Sequence, residues 1–283
     1  MKLANGTSWQ YFTMFCDDGT KIAGAFTATD KNCDVWLSVY GNRTIEMQRY
    51  YSLDYFTKLS EGNLRIDGSY FVRDDGKVRL RIRQPNLELM INAKSVIDWK
   101  GNAIRYKAGM IDVEWLVPGL RMDAEGVLSV DGERKRLKGL MFHDSVRHNI
   151  KPSLDMIVNY NRWVWGIGYT KSYSVLFAEV DYRKRPFRFL CINDSRKTVS
   201  SNDSIAQADF EFISPRRMPL GSFDIAHGGH YMRFSGLKPF GLVHGKGLSK
   251  LWARLAERKH HYVGRFLCEG EAGEAYLESH KLF

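Results

Sequence analysis

The stretch Asp74-Asp75-Gly76-Lys77-Val78-Arg79-Leu80-Arg81-Ile82-Arg83 decides how the chain is read. From Val78 on, apolar and cationic residues alternate one by one. Successive side chains of a β-strand point to opposite faces, so Val78, Leu80 and Ile82 enter a core while Arg79, Arg81 and Arg83 stay wet. The Asp-Gly pair before them tolerates positive φ and suits a tight hairpin turn. The same grammar recurs outward in both directions. Trp36 to Tyr40, Leu87 to Ile91 and Val113 to Val117 read as further strands in the first half. Tyr173 to Tyr182, Phe187 to Ile192, Asp209 to Ile213, Tyr231 to Phe234 and Tyr262 to Cys268 read as strands in the second. Asp17-Asp18-Gly19, Lys100-Gly101-Asn102 and Asp131-Gly132 supply turns between them. Many strands with frequent turns point to antiparallel barrels or sandwiches. No strand–helix alternation, Gly-x-Gly-x-x-Gly or phosphate loop argues for a parallel nucleotide-binding sheet. The helical exceptions are few. Leu248, Leu251, Trp252 and Leu255 fall at helical spacing behind Gly247, and Tyr51 to Leu59 reads as a shorter helix.

A chain of 283 residues holds one large or two medium domains. The polar, charged stretch from Gly132 to Gly139 is the expected join, giving domains 1–135 and 136–283. A hydrophobic content of 44% excludes a disordered chain. No apolar run approaches the roughly 20 residues that span a bilayer as a helix. The start, Met1-Lys2-Leu3-Ala4-Asn5-Gly6, has no apolar signal core, so a cytoplasmic protein is expected. Cys16, Cys33, Cys191 and Cys268 form no Cys-x-x-Cys pair and fit no zinc pattern. They read as small core residues in a reducing compartment. The net charge of +10 raises nucleic acid or an anionic membrane as partner. The basic residues are dispersed along wet strand faces, however. Nucleic acid is therefore not expected as a partner, transient membrane contact stays open, and nothing indicates an obligate protein partner.

The candidate chemistry lies between Gly139 and Gly166. Gly139-Leu140-Met141-Phe142-His143-Asp144-Ser145-Val146-Arg147-His148-Asn149 packs several proton-handling groups together, and Trp163-Val164-Trp165-Gly166 follows. In a regular strand His143 and Asp144 point to opposite faces, so only one enters a given pocket unless a bulge intervenes. Asp144 is the more useful of the two. A carboxyl against aromatic walls holds its proton more readily and can give it to an alkene. Aromatic faces such as Trp163 and Trp165 stabilise the resulting cation by about 0.5–2 kcal/mol each. His148 is a candidate relay. A plainer reading stands beside this one. His143-Asp144 can be a hydrogen-bonded brace, Arg147 can pair with Asp144, and the tryptophans can be core. Metal ligation by His143, Asp144 and His148, by His227 with His230, or by His260 with His261 lacks recognised spacing, and no metal is expected.

At these residues the chain resembles the CrtC/AttH-like, lipocalin-like proteins, which include carotenoid 1,2-hydratases and fungal-type Diels–Alderases. Gly139 and Phe142-His143-Asp144 fall in register with that family's Gly-x-Gly-Tyr-His-Asp-His-Asn-Trp-Gly stretch. Ser145 replaces its next histidine, a His-Asn pair returns only at His148-Asn149, and Ile150 follows where tryptophan would. The downstream Trp-x-Trp-Gly matches Trp163-Val164-Trp165-Gly166. Ser8-Trp9-Gln10-Tyr11-Phe12 with Asp18-Gly19 resembles the opening strand and turn, and Gly270 to Glu278 the closing glycine-rich strand. The resemblance implies an all-β protein of two lipocalin-like antiparallel barrels with few short helices. It implies no cofactor and a pocket for an elongated hydrophobic small molecule. Carried over, Asp144, His143 and His148 would be catalytic, and Trp163, Trp165, Phe142, Trp9 and Tyr11 would bind substrate. The expected function is a cofactor-independent enzyme protonating an alkene of an isoprenoid or polyene natural product, with cyclisation or hydration following. His143 would orient Asp144 or share its proton. A pericyclase and a non-catalytic carrier of a hydrophobic ligand are the alternatives, because fold does not fix chemistry.

Overall fold

A computed structural model of the chain describes residues 7–60, 62–97, 103–108, 111–150, 160–182, 185–194, 198–201, 211–212, 222–227, 229–239 and 258–281. The chain divides into two compact units, Met1–Ile150 and Lys151–Phe283. Among the described residues regular structure is strand, save one 3-10 turn at Leu53–Tyr55, and every strand pairing is antiparallel. No described helix is long and apolar enough to cross a membrane.

The first unit runs β1 (Thr7–Cys16), β2 (Lys21–Ala28), β3 (Asn32–Tyr40), β4 (Ile45–Ser52), β5 (Phe56–Ser60), β6 (Asn63–Ile66), β7 (Ser69–Asp74), β8 (Lys77–Gln84), β9 (Leu87–Ser95), β10 (Ala103–Ala108), β11 (Ile111–Val130) and β12 (Glu133–Ile150). The sheet order is β4-β3-β2-β1-β12-β11-β9-β8-β7-β6-β5, with β10 paired to β11. Val78, Leu80 and Ile82 are buried, as their alternation requires, and Arg79 and Arg83 are exposed. The inward phase of every long strand joins one apolar cluster. Phe26 of β2 meets Phe71 of β7, ring centroids 5.9 Å apart, although the two strands are distant in the sheet order. The sheet therefore curls round a core that side chains fill, the small-barrel arrangement.

The second unit runs β13 (Tyr160–Tyr169), β14 (Tyr173–Tyr182), β15 (Arg185–Asp194), β16 (Thr198–Ser201), β17 (Glu211–Phe212), β18 (Ser222–His227), β19 (His230–Pro239), β20 (Arg258–Cys268) and β21 (Glu271–Lys281). Its order is β16-β15-β14-β13-β21-β20-β19-β18-β17. Phe177 of β14 packs on Phe234 of β19 at 5.1 Å across its own apolar cluster. Two lipocalin-like near-barrels are thus the architecture.

Four expectations need correction or placement. Gly132 to Gly139 is no join. Asp131 and Gly132 have φ of 52° and 88° and form the turn between β11 and β12. β12 then pairs with β11 on one side and β1 on the other, so a cut at 135/136 would sever a central strand. The charged run is instead the wet side of that strand, and the units divide after Ile150. The short helix over Tyr51 to Leu59 is a 3-10 turn between β4 and β5. Its tyrosines, Phe56 and Thr57 favour strand, and the three residues Leu53–Tyr55 join β4 to β5. The helix at Leu248 to Leu255 and the turn at Lys100-Gly101-Asn102 lie outside the described residues.

Candidate active site

Register fixes where each candidate side chain goes. β1 and β12 pair without a bulge, Tyr11 opposite Asp144 and Phe12 opposite His143. Opposed residues share a face, so Asp144 lies on the phase of Tyr11, Phe142 and Trp9, while His143 lies on the phase of Phe12 and the barrel core. Gly139 lets β12 lie close to β1, because a Cβ there would run into the carbonyl oxygen of Phe15.

His143 is therefore not a partner of Asp144. It is fully buried, its ring centroid 4.6 Å from that of Phe71. Its Nδ1 lies 3.0 Å from the carbonyl oxygen of Tyr11, to which Nδ1–H donates. Burial pushes the imidazole down to about 3, and the Arg73 charge adds to that shift against the Tyr11 hydrogen bond. The ring is neutral at physiological pH, and its N–H is engaged by the Tyr11 carbonyl on the face away from Asp144. Arg147 also sits on the phase opposite Asp144 and pairs with Glu114 at 3.7 Å. The backbone of His148 pairs with Thr7 and Val113, and its side chain lies outside the described residues.

Asp144 is 2% exposed, and its Oδ2 accepts a hydrogen bond of 2.9 Å from the indole N–H of Trp115. Trp115 is opposite Val146, one row along the same face. The row through Asp144 continues to Tyr11, Ala25, Trp36 and Gln48 across β1, β2, β3 and β4. Ala25 is small, and the rings of Tyr11 and Trp36 approach over it to 5.8 Å between centroids. Phe142, Tyr11, Trp36 and Trp115 are all buried. The result is a carboxyl held by an indole within an aromatic face. Reading the sequence for a site missed Trp115 and Trp36; the alternation of Val113 to Val117 marks Trp115 as sharing a face with its buried valines.

In the second unit Trp163 and Trp165 share one phase of β13, the phase opposite that core. Trp165 stands opposite Glu278 of β21, and Glu278 opposite His261 of β20. Trp165 and Tyr276 rings are 5.7 Å apart. His261 Nδ1 is hydrogen-bonded to the hydroxyl of Tyr276 and lies 3.5 Å from Glu278 Oε2. His261, Tyr276 and Glu278 are all at least 97% buried. Sequence reading missed this trio as well. The signal was present, because Glu269-Gly270 forms a two-residue turn, both residues at positive φ, and counting outward from it pairs His261 with Glu278.

No family model matches the chain, and no curated protein matches it in sequence. Solved structures do match in fold. A structure assigned as AttH from Nitrosomonas europaea superposes with a TM-score of 0.68 at 15% identity, covering 99% of this chain and 96% of that one. CghA with Sch210972 gives 0.68 at 9% identity, covering 98% and 89%. Kievitone hydratase from Nectria haematococca gives 0.63 at 12% identity, covering 99% and 89%. The chain thus has the fold of the CrtC/AttH-like, lipocalin-type proteins, the resemblance carried in sequence by Phe142-His143-Asp144 and Trp163-Val164-Trp165-Gly166.

Proposed function

We propose that the chain is a cofactor-independent enzyme acting on a hydrophobic isoprenoid or polyene natural product, with Asp144 as the acid. The observation that carries this reading is a carboxyl 2% exposed, held by the Trp115 N–H on the sheet face that also carries Tyr11 and Trp36. Protonated Asp144 gives its proton to an alkene carbon and leaves a carbocation. Aromatic faces stabilise that cation by about 0.5–2 kcal/mol each. Water then adds to the cation and loses a proton, which completes hydration. Alternatively a second alkene of the same molecule attacks it, and proton loss from the ring product completes cyclisation. Trp115 fixes the carboxyl rather than reacting. That kievitone hydratase shares the fold supports the hydration branch.

The test is the variant Asp144→Asn, which keeps the Oδ acceptor for Trp115 and removes the acid. Incubated with a panel of acyclic isoprenoid and polyene alkenes, the parent protein should form hydrated or cyclised products seen by mass spectrometry. The variant should form none while unfolding within about 1 kcal/mol of the parent. Full activity in the variant removes Asp144 from the role.

A second reading is a pericyclic closure that needs no acid. The aromatic face of Tyr11 and Trp36 favours it, since such a wall can hold a linear polyene in a folded, near-attack shape. Retained turnover in Asp144→Asn together with loss in Trp36→Ala would select it.

A further inference from the structure

We propose that a groove on the wet face of the first unit seats a charged end of the substrate, with an ammonium next to the hydrocarbon chain and a carboxylate at the tip. The chain is that of the polyene proposed above and rests on that reading; the doubly charged end is what the groove adds.

The groove measures about 580 Å³, within the roughly 300–1,000 Å³ of small-molecule sites. It crosses β12, β11, β9 and β8. One cross-strand row carries its chemistry. Leu140 of β12 stands opposite Asp123 of β11, Asp123 opposite Lys94 of β9, and Lys94 opposite Lys77 of β8. On its other side Leu140 stands opposite Phe15 of β1. Across the sheet the row is therefore apolar, apolar, anionic, cationic, cationic. The next row repeats the order of charges, with Glu125 on β11, Asn92 on β9 and Arg79 on β8. Asp17 and Lys138 at the rim add one charge of each sign.

Stability alone does not favour this arrangement. Like charges directly opposite each other weaken a sheet, and Lys77 faces Lys94. Elsewhere on the same sheet, opposed charges close into ion pairs. Glu114 meets Arg105 at 2.9 Å and Arg147 at 3.7 Å. In the groove Lys94 is opposed to Asp123 and Lys138 to Glu125, yet neither pair closes. Among the described residues, the side chains of Lys77, Arg79, Lys94, Asp123 and Glu125 have no ion-pair or hydrogen-bond partner. Three cations on β8 and β9 and two carboxylates on β11 thus face the hollow with their charges uncommitted. A ligand with only an anion is repelled by Asp123 and Glu125, and one with only a cation by Lys94 and Lys77. A ligand with both charges, in the order the row sets, satisfies both columns. Neighbouring strands lie about 4.8 Å apart, which a short linker between ammonium and carboxylate spans with the flexible lysine stems.

The place of the row ties it to Asp144. Lys138, Leu140, Phe142 and Asp144 share one phase of β12. Burial rises along that phase, from exposed Lys138 through half-buried Leu140 to fully buried Phe142. Asp144 lies about 13 Å beyond Leu140 along the strand. The groove is thus the wet end of the face that carries the proposed acid. A chain that leaves it over Leu140 runs toward that carboxyl, with its charged end held in water.

The experiment is titration calorimetry of the full chain with single-chain amphiphiles, kept below micelle formation. Dodecyl dimethylglycine carries its ammonium next to the chain and its carboxylate at the tip. Dodecylphosphocholine reverses that order, dodecyltrimethylammonium lacks the anion, and dodecanoate lacks the cation. Dodecyl dimethylglycine should bind tightest, with each of the others at least about twofold weaker. Lys94→Gln should weaken dodecyl dimethylglycine and dodecanoate about two- to fivefold and spare dodecyltrimethylammonium. Asp123→Asn should weaken dodecyl dimethylglycine and dodecyltrimethylammonium by a similar factor and spare dodecanoate. Both side chains are exposed, so neither substitution opens the core, and a merely structural role would not produce the crossed pattern. No saturable binding, no preference for dodecyl dimethylglycine, or variants that weaken every probe alike would each overturn the proposal. Tighter binding of dodecylphosphocholine would also overturn it and mark a contact with membrane lipid. The readout does not involve turnover. Binding that persists in Asp144→Asn upholds the groove even where Asp144 proves not to be the acid, and turnover lost in Asp144→Asn with no probe bound removes the groove alone.

Discussion

Replacing His143 by phenylalanine should flatten the acid side of the stability profile. The imidazole is fully buried against Phe71, and burial first, with the Arg73 charge, brings it down from 6.5 to about 3. Below 6.5 the unfolded chain binds a proton that the native ring refuses, so stability falls as pH drops from 6.5 towards 3 and is intact above 6.5. At pH 5, about 1.5 units below the unfolded value, the loss is about 2 kcal/mol. Phenylalanine keeps a ring beside Phe71 and has nothing to protonate. Losing the bond to the Tyr11 carbonyl should cost the variant about 1 kcal/mol at pH 7. Urea unfolding followed by tryptophan fluorescence, at intervals from pH 7 to 5, measures both slopes. Asp18, Asp224 and Glu271 also have lowered values, but they titrate alike in both proteins and cancel in the comparison. The parent should lose about 2 kcal/mol more than the variant across that interval. Parallel slopes would refute the placement of a neutral His143 in the core.

The remaining outcomes are as specific. Trp115→Phe removes the indole N–H from buried Asp144 and should lower unfolding stability by about 1–3 kcal/mol; an unchanged denaturation midpoint would contradict the bond. Phe71→Ala opens the first core beside Phe26 and His143 and should cost about 3–5 kcal/mol by the same assay. Gly139→Ala presses a methyl on the Phe15 carbonyl and should cost about 1–3 kcal/mol, whereas Gly132→Asn, in an open turn at positive φ, should cost about 1 kcal/mol from backbone strain alone. Burial pushes the thiols of Cys33 and Cys268 up to about 11 and about 12, and Cys16 and Cys191 are buried too. The native protein should consume no Ellman's reagent at pH 8, and urea should release four reactive thiols.

The barrels were legible wherever a turn pinned the register. Asp74-Asp75-Gly76 and Asp131-Gly132 fold as the Asp-Gly reading requires, and Tyr173 to Tyr182 is β14 end to end. Composition misled at the domain join, because Arg134, Arg136 and Lys138 look like a linker and are the wet side of a long strand. Local composition misled at Tyr51 to Leu59, where Tyr51 lies in β4, Tyr55 closes a 3-10 turn and Phe56 opens β5. At the candidate site, alternation alone separates His143 from Asp144. What alternation could not supply is which indole meets the carboxyl, since Trp115 comes from a neighbouring strand whose register shifts twice between Leu116 and Met122. The His261–Tyr276–Glu278 trio was within reach through the Glu269-Gly270 turn, but the first of its residues falls just before the apolar run that marks the strand.

Proton delivery to carbon is the centre of the account, and a reaction run in deuterated water tests it most directly. The product from an isoprenoid or polyene substrate, analysed by mass spectrometry and proton NMR, should carry one deuterium bound to carbon at the site that Asp144 protonates. A product formed at full rate with no carbon-bound deuterium would contradict acid initiation and leave ring closure without proton transfer.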